Sequence, residues 1–75
     1  MNTMLDNIYI VLVSPDESSN IGAVCRAMKT MGLSKLRIVN PGNYDENKIR
    51  YVSVHAFDIY QNRSEYKNLT DAVSD

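Results

Sequence analysis

The 75-residue chain is 44% hydrophobic and 23% charged, with only 3 Gly and 2 Pro, a composition that excludes disordered, collagen-like and low-complexity classes. So short a chain buries only about 60% of the surface it exposes when unfolded, and its core is marginal unless another surface covers it. The net charge of −1 gives no broad basic footprint, so any attraction to RNA must come from a local site or a further partner.

The single cysteine, Cys25, excludes an intramolecular disulfide and a cysteine-rich zinc site and fits a reducing compartment. The cytoplasm is the default expectation. The longest apolar run, Ile8 to Val13, falls far short of the roughly 20 residues that span a bilayer. Asp6 and the absence of a basic cluster before it argue against a signal peptide.

Ile8 to Val13 is rich in β-branched residues and unbroken by polar ones, the pattern of a strand buried on both faces of a parallel sheet. Ser14 to Asn20 follows as a loop of turn and cap chemistry. A helix of about three turns is then expected to start near Asn20, because Ile21, Val24, Cys25, Met28 and Met31 recur at the spacing of one buried stripe. Gly32 and Leu33 read as a glycine-terminated C-cap with a hydrophobic contact behind it.

Leu36 to Val39 reads as a second strand, stopped by the turn Asn40-Pro41-Gly42-Asn43. Two apolar strands separated by a helix imply a β-α-β unit with a right-handed crossover. A second helix is expected from about Glu46 to Phe57, where Ile49, Val52, Ala56 and Ile59 keep helical spacing against competing strand propensity. Asn62 to Ser64 forms a turn, Glu65 to Lys67 a short edge strand, and Asn68 to Val73 opens a third helix. The sequence thus reads as a single partial α/β domain over residues 1–75, ending where a further buried strand is expected.

Arg26 lies opposite the apolar stripe, on one face with Lys29 and Thr30. Taken alone, it is a solvated charge. Asn20 reads as an N-cap, although an Asn and free N–H groups beyond a strand's carboxyl end also mark the usual ligand crevice of a doubly wound sheet. Asn20-x-Gly22 is a weak dinucleotide signal, because Gly-x-Gly-x-x-Gly is absent. His55, the only histidine, has no neighbouring ligands for a metal, and Cys25 falls on the apolar stripe as a core residue. Asp16 and Glu17 read as loop and helix-dipole charges.

The strand Ile8 to Val13, the run Asn20-Ile21-Gly22-Ala23-Val24-Cys25-Arg26-Ala27-Met28-Lys29-Thr30-Met31-Gly32-Leu33, and Leu36 to Pro41 together resemble the start of the SPOUT-class RNA ribose 2′-O-methyltransferases. Within that class the chain is most similar to the tRNA (cytidine/uridine-2′-O)-methyltransferases that act on the anticodon loop. Val54 to Ile59 and Leu69 to Val73 extend the resemblance, with His55 standing where the family often has a small residue such as Gly.

The resemblance implies a Rossmann-like parallel sheet, β-α-β-α-(β)-α, forming the N-terminal half of an α/β knot whose knot lies beyond this chain. It implies a homodimer acting on RNA, tRNA above all, with S-adenosylmethionine as cofactor, no metal and no membrane. It makes Arg26 the catalytic arginine and places Asn20, Ser19 and Lys29 in the RNA-binding crevice; no cofactor-binding residue is expected in this chain, which alone is expected to be inactive. Arginine suits the task by holding phosphate and ribose oxygens in a fixed fork and stabilising a developing alkoxide, whereas it is a poor base. Two other readings compete: a non-catalytic α/β module that binds RNA or a partner, and a nucleotide-binding domain using Ser18 to Gly22, against which the missing Gly-rich turn argues.

Overall fold

A computed structural model describes residues 7–74. Strand β1, Tyr9–Val13, is followed by helix α1, Ser18–Met31, and strand β2, Lys35–Val39. Helix α2, Glu46–Ser53, runs into one 3₁₀ turn, Val54–Ala56, and then into α3, Phe57–Gln61; β3, Ser64–Tyr66, and α4, Leu69–Ala72, complete the order. The sheet is β1-β2-β3 and parallel throughout, with Tyr9 opposite Lys35, Val13 opposite Val39, and Val39 opposite Tyr66. A parallel sheet of three strands requires helical crossovers, and α1 and the α2–α3 segment supply them.

The described chain has Cα extents of 31 × 29 × 14 Å. The short dimension fits a sheet carrying one full helical layer. Leu36 and Ile38 of β2 meet Ile21, Cys25 and Met28 of α1 together with Ile49 of α2, and Ile10 and Leu12 of β1 pack against this core. The alternate residues of the same strands face the other way, where α4 lies against β2 and β3.

The expectation that the first strand is buried on both faces is therefore corrected. Tyr9 is 40% and Val13 57% exposed, because β1 is an edge strand of the described sheet and α4 covers the second face only over its neighbours. Ser14 and Asn40, at φ 50 and φ 53, end β1 and β2 in the left-handed region, which Asn tolerates better than most residues. Asn40 Nδ2 donates to Ser14 Oγ at 3.0 Å, tying the two strand ends together.

Helix α1 begins at Ser18 rather than near Asn20, with Glu17 in the cap position and no side-chain cap bond. Asn20 is a first-turn residue whose backbone N–H donates to the Glu17 carbonyl at 3.1 Å, so its N-capping reading is replaced. Its far end matches expectation. Gly32 takes φ 79 and donates to Lys29 O, while the Leu33 N–H donates to Met28 O at 2.8 Å, the paired bonds of a Schellman motif. Met31, expected on the buried stripe, is instead 63% exposed because the stripe leaves the core in the last turn.

Gly22 explains how close α1 and α2 come. A Cβ there would stand 2.8 Å from Val52 Cβ and 3.0 Å from the Ile49 carbonyl oxygen, so the helices cross almost backbone to backbone. Ser18 Oγ accepts from the Asp45 N–H at 2.8 Å, and the Asp45 carboxylate caps α2 by accepting from Asn47 and Lys48. This accounts for the Asn20-x-Gly22 spacing as a packing requirement and supplies no phosphate-binding turn.

The helix expected from Glu46 to Phe57 is broken. Val54 adopts φ 57, ψ −108, a conformation at which a β-branched residue is an outlier. The break redirects the chain so that Ala56, Phe57, Ile59 and Tyr60 are all buried, an arc wider than one stripe of a straight helix. The strand predicted at Glu65 to Lys67 begins one residue earlier, and α4 is capped by Asn68 Oδ1 accepting from the Asp71 N–H at 2.9 Å.

Candidate functional site

Where α1 passes the 3₁₀ turn, the surface forms a shallow hollow of about 210 Å³. Arg26, Lys29 and Thr30 make one wall and Ser53 to Ala56 the other. Helical periodicity sets the first wall: Cys25 and Met28 are buried, and the residues following each of them turn outward. The reversal at Val54 sets the second.

The chain has four arginines, and three are committed to structure. Arg37 lies 3.6 Å from the centroid of the Tyr9 ring and donates to the Ala72 carbonyl. Arg50 lies 4.1 Å over Phe57. Arg63 lies 3.8 Å over Tyr60, donates to the Tyr60 carbonyl and pairs with Glu65 at 2.8 Å. Arg26 differs. Its backbone carbonyl accepts from Thr30 Oγ1 at 3.2 Å, but its guanidinium has no partner among the described residues and is exposed on the hollow.

Lys29 reaches the carboxylate of Asp58 at 3.2 and 3.4 Å. Both side chains are about half exposed, so the pair contributes only about 0–1 kcal/mol and leaves the ammonium free to exchange partners. Asn20 is exposed and Ser19 half-buried, and neither lines the hollow. Six residues of helix separate Asn20 from Arg26, about 9 Å of rise and a different face. Arg26 and Lys29 are brought together, whereas Asn20 and Ser19 stay at the helix entrance.

Sequence reasoning did not connect His55, Val54 and Ser53 with Arg26. His55 stood out as the sole histidine and as the departure from the family pattern, but the residue in the glycine-favouring backbone region is Val54, one position earlier. Cys25 is fully buried. Burial, with smaller opposing effects of Asp58 and Arg63, pushes its thiol from 9.0 up to about 11, so it is no nucleophile near neutrality.

Two further concavities lie elsewhere. One, of about 340 Å³, is bordered by Tyr9, Lys35, Arg37 and Asn62; the other, of about 350 Å³, by Tyr9, Val11, Arg37 and Val73. All three hollows have cationic walls and none is lined by a carboxylate. The sulfonium of S-adenosylmethionine is itself a cation, and these three hollows do not offer it a fitting site. Among the described residues there is no group of three metal-ligating side chains, and no helix is long and apolar enough to cross a membrane.

The model of the SpoU rRNA Methylase family matches residues 7–75. The chain is 46% identical over 71 residues to a tRNA (cytidine/uridine-2′-O-)-methyltransferase, TrmJ, from Sodalis glossinidius, a match that covers 95% of this chain and 28% of that protein. Among solved structures, a probable methylase family protein from Haemophilus influenzae superposes with a TM-score of 0.91 at 42% identity, over 99% of this chain and 30% of the other. A putative methylase family protein from Neisseria gonorrhoeae superposes with a TM-score of 0.88 at 28% identity, over 100% of this chain and 45% of the other. The chain spans less than a third of the length of the curated relatives named TrmJ that it matches. Because the family match runs through every described element, from β1 past the Arg26 hollow to α4, the chain belongs to the SpoU rRNA methylase family.

Proposed function

We propose that this chain is the N-terminal part of an S-adenosylmethionine-dependent ribose 2′-O-methyltransferase that acts on tRNA. The observation that carries the reading is Arg26: the only arginine without a partner among the described residues, exposed on a hollow of the family's own domain. A guanidinium so placed holds ribose and phosphate oxygens in a fixed fork and stabilises negative charge developing on the 2′-oxygen. Lys29 adds a cation that an RNA phosphate can draw from Asp58. Asn20 and Ser19, at the entrance of α1, extend the contact along the RNA backbone.

The methyl donor is held by chain outside the described residues, since the hollows here present cations to a cationic cofactor. The relatives' greater length supports that division. The same reading makes the protein a cytoplasmic homodimer, and the 75 residues inactive by themselves.

The test is methyl transfer to tRNA by the full-length protein. Arg26→Ala lowers turnover by about 10²–10³-fold, the usual effect of removing a group that stabilises transition-state charge, while the melting temperature stays unchanged. Turnover retained within a few-fold overturns the role given to Arg26.

A further inference from the structure

We infer that His55 is a further RNA-contacting residue of the Arg26 hollow, donating a hydrogen bond to a ribose or phosphate oxygen of the unpaired substrate strand. The inference rests on the RNA-methyltransferase reading and adds a contact from the wall that faces α1, beyond those given to Arg26, Lys29, Asn20 and Ser19.

His55 is exposed, lines the wall facing Arg26 and Lys29, and has no partner among the described residues. Its placement follows from the backbone. Val54 is held at φ 57, ψ −108, although the residue is itself 49% exposed and so gains little from the strained position. Strain of this kind persists only where the surroundings over-determine it, and it clusters at functional sites.

The turn is braced on both sides. Ser53 is fully buried and its Oγ donates to the Arg50 carbonyl at 3.2 Å. The Arg50 guanidinium lies 4.1 Å over Phe57, and Ala56 is buried in the core. His55 is therefore presented to the hollow from a fixed segment between two anchored residues.

The chemistry of the two walls selects the ligand. The Thr30 and Ser53 hydroxyls already donate to the Arg26 and Arg50 carbonyls, whereas Arg26 and Lys29 supply positive charge from α1. An imidazole opposite them supplies a directional N–H donor in either neutral tautomer. Donors on both walls with no carboxylate between them fit an acceptor-rich, anionic strand lying across the hollow. The sugar–phosphate backbone of unpaired RNA is such a strand.

The experiment titrates the full-length protein with a short RNA stem-loop probe, reading Kd by fluorescence anisotropy and the His55 ring resonances by NMR. It compares the wild type with His55→Ala, His55→Gln and Arg26→Ala. Because His55 is exposed, these substitutions leave the fold intact, which the amide spectrum checks. The expected result is binding about five- to tenfold weaker for His55→Ala, near-wild-type binding for His55→Gln, which keeps an N–H donor, and a ring shift on addition of RNA.

Wild-type affinity in His55→Ala, or equal loss in both His55 variants without a ring shift, overturns the contact. If Arg26→Ala weakens binding while His55→Ala does not, the inference fails and the RNA reading stands. If the wild type does not bind the probe at all, both fail.

Discussion

Arg37 is 7% exposed, lies against the Tyr9 ring and donates to the Ala72 carbonyl, whereas Arg26 is exposed on a hollow with no side-chain partner among the described residues. The first joins β2 to the end of α4, where a cation meets the negative end of the peptide dipoles. The second joins nothing among the described residues. A cation that already satisfies its neighbours is part of the framework, and one that does not is available to a ligand. Residue type alone cannot separate the two.

The largest stability effect is expected beneath the hollow. Gly22→Ala forces a methyl against Val52 Cβ and the Ile49 carbonyl, and because one contact is backbone, α2 must move as a whole. A loss of about 2–3 kcal/mol is expected in urea denaturation. Moving α2 also displaces the turn that follows it, so RNA binding by the full-length protein weakens with stability. A neutral Gly22→Ala would mean that the helices are free to separate and that the hollow's far wall is not fixed.

Next come the two arginines themselves. Arg37→Ala removes a charged hydrogen bond and a ring stack from a buried site, about 2 kcal/mol. Arg26→Ala stays within about 0.5 kcal/mol, as for most exposed positions, while carrying the loss of turnover given above. Equal stability costs for the two would erase the contrast.

Much of this frame was legible locally. The apolar run before α1, the Ile21, Cys25 and Met28 stripe, and the Gly32 C-cap each follow from a few adjacent residues. The outward face of Arg26, Lys29 and Thr30 follows from helical periodicity. The start of α1 was misplaced because Ser18, Ser19 and Asn20 all carry cap chemistry, whereas the cap position falls on Glu17 without a side-chain bond.

The break at Val54 had no local signal, since β-branched residues are the least suited to a positive φ. It is imposed by the burial of Ala56, Phe57, Ile59 and Tyr60 on core made elsewhere in the chain. With the break hidden, so was the second wall of the hollow. Arg37 was equally silent, because strand alternation fixes its face but not the Tyr9 and Ala72 groups that meet it there.

Cys25 tests the packed side of the same helix by pH. Burial raises its thiol from 9.0 to about 11, so the folded state holds the proton that the unfolded state has released between those values. Stability is therefore fully present below 9.0 and falls as pH rises toward 11, by up to about 1.4 kcal/mol per pH unit. Cys25→Ala flattens that part of the profile at some cost in packing. An unchanged slope in the variant would assign the alkaline loss to other groups.

The smallest expected effect is on Val54, and it has opposite signs in the two quantities measured. Val54→Gly relieves a positive-φ conformation whose strain costs a residue with a Cβ about 1–2 kcal/mol. The greater freedom of Gly in the unfolded chain takes back up to about 1 kcal/mol, leaving a net gain near 0.5 kcal/mol. Yet the same freedom loosens the turn that presents His55, so RNA affinity is expected to fall about two- to threefold while the melting temperature rises by about 2–4 °C. If affinity and stability rise together, the strain at Val54 serves only to bury Ala56 and Phe57, and presentation of His55 does not depend on it.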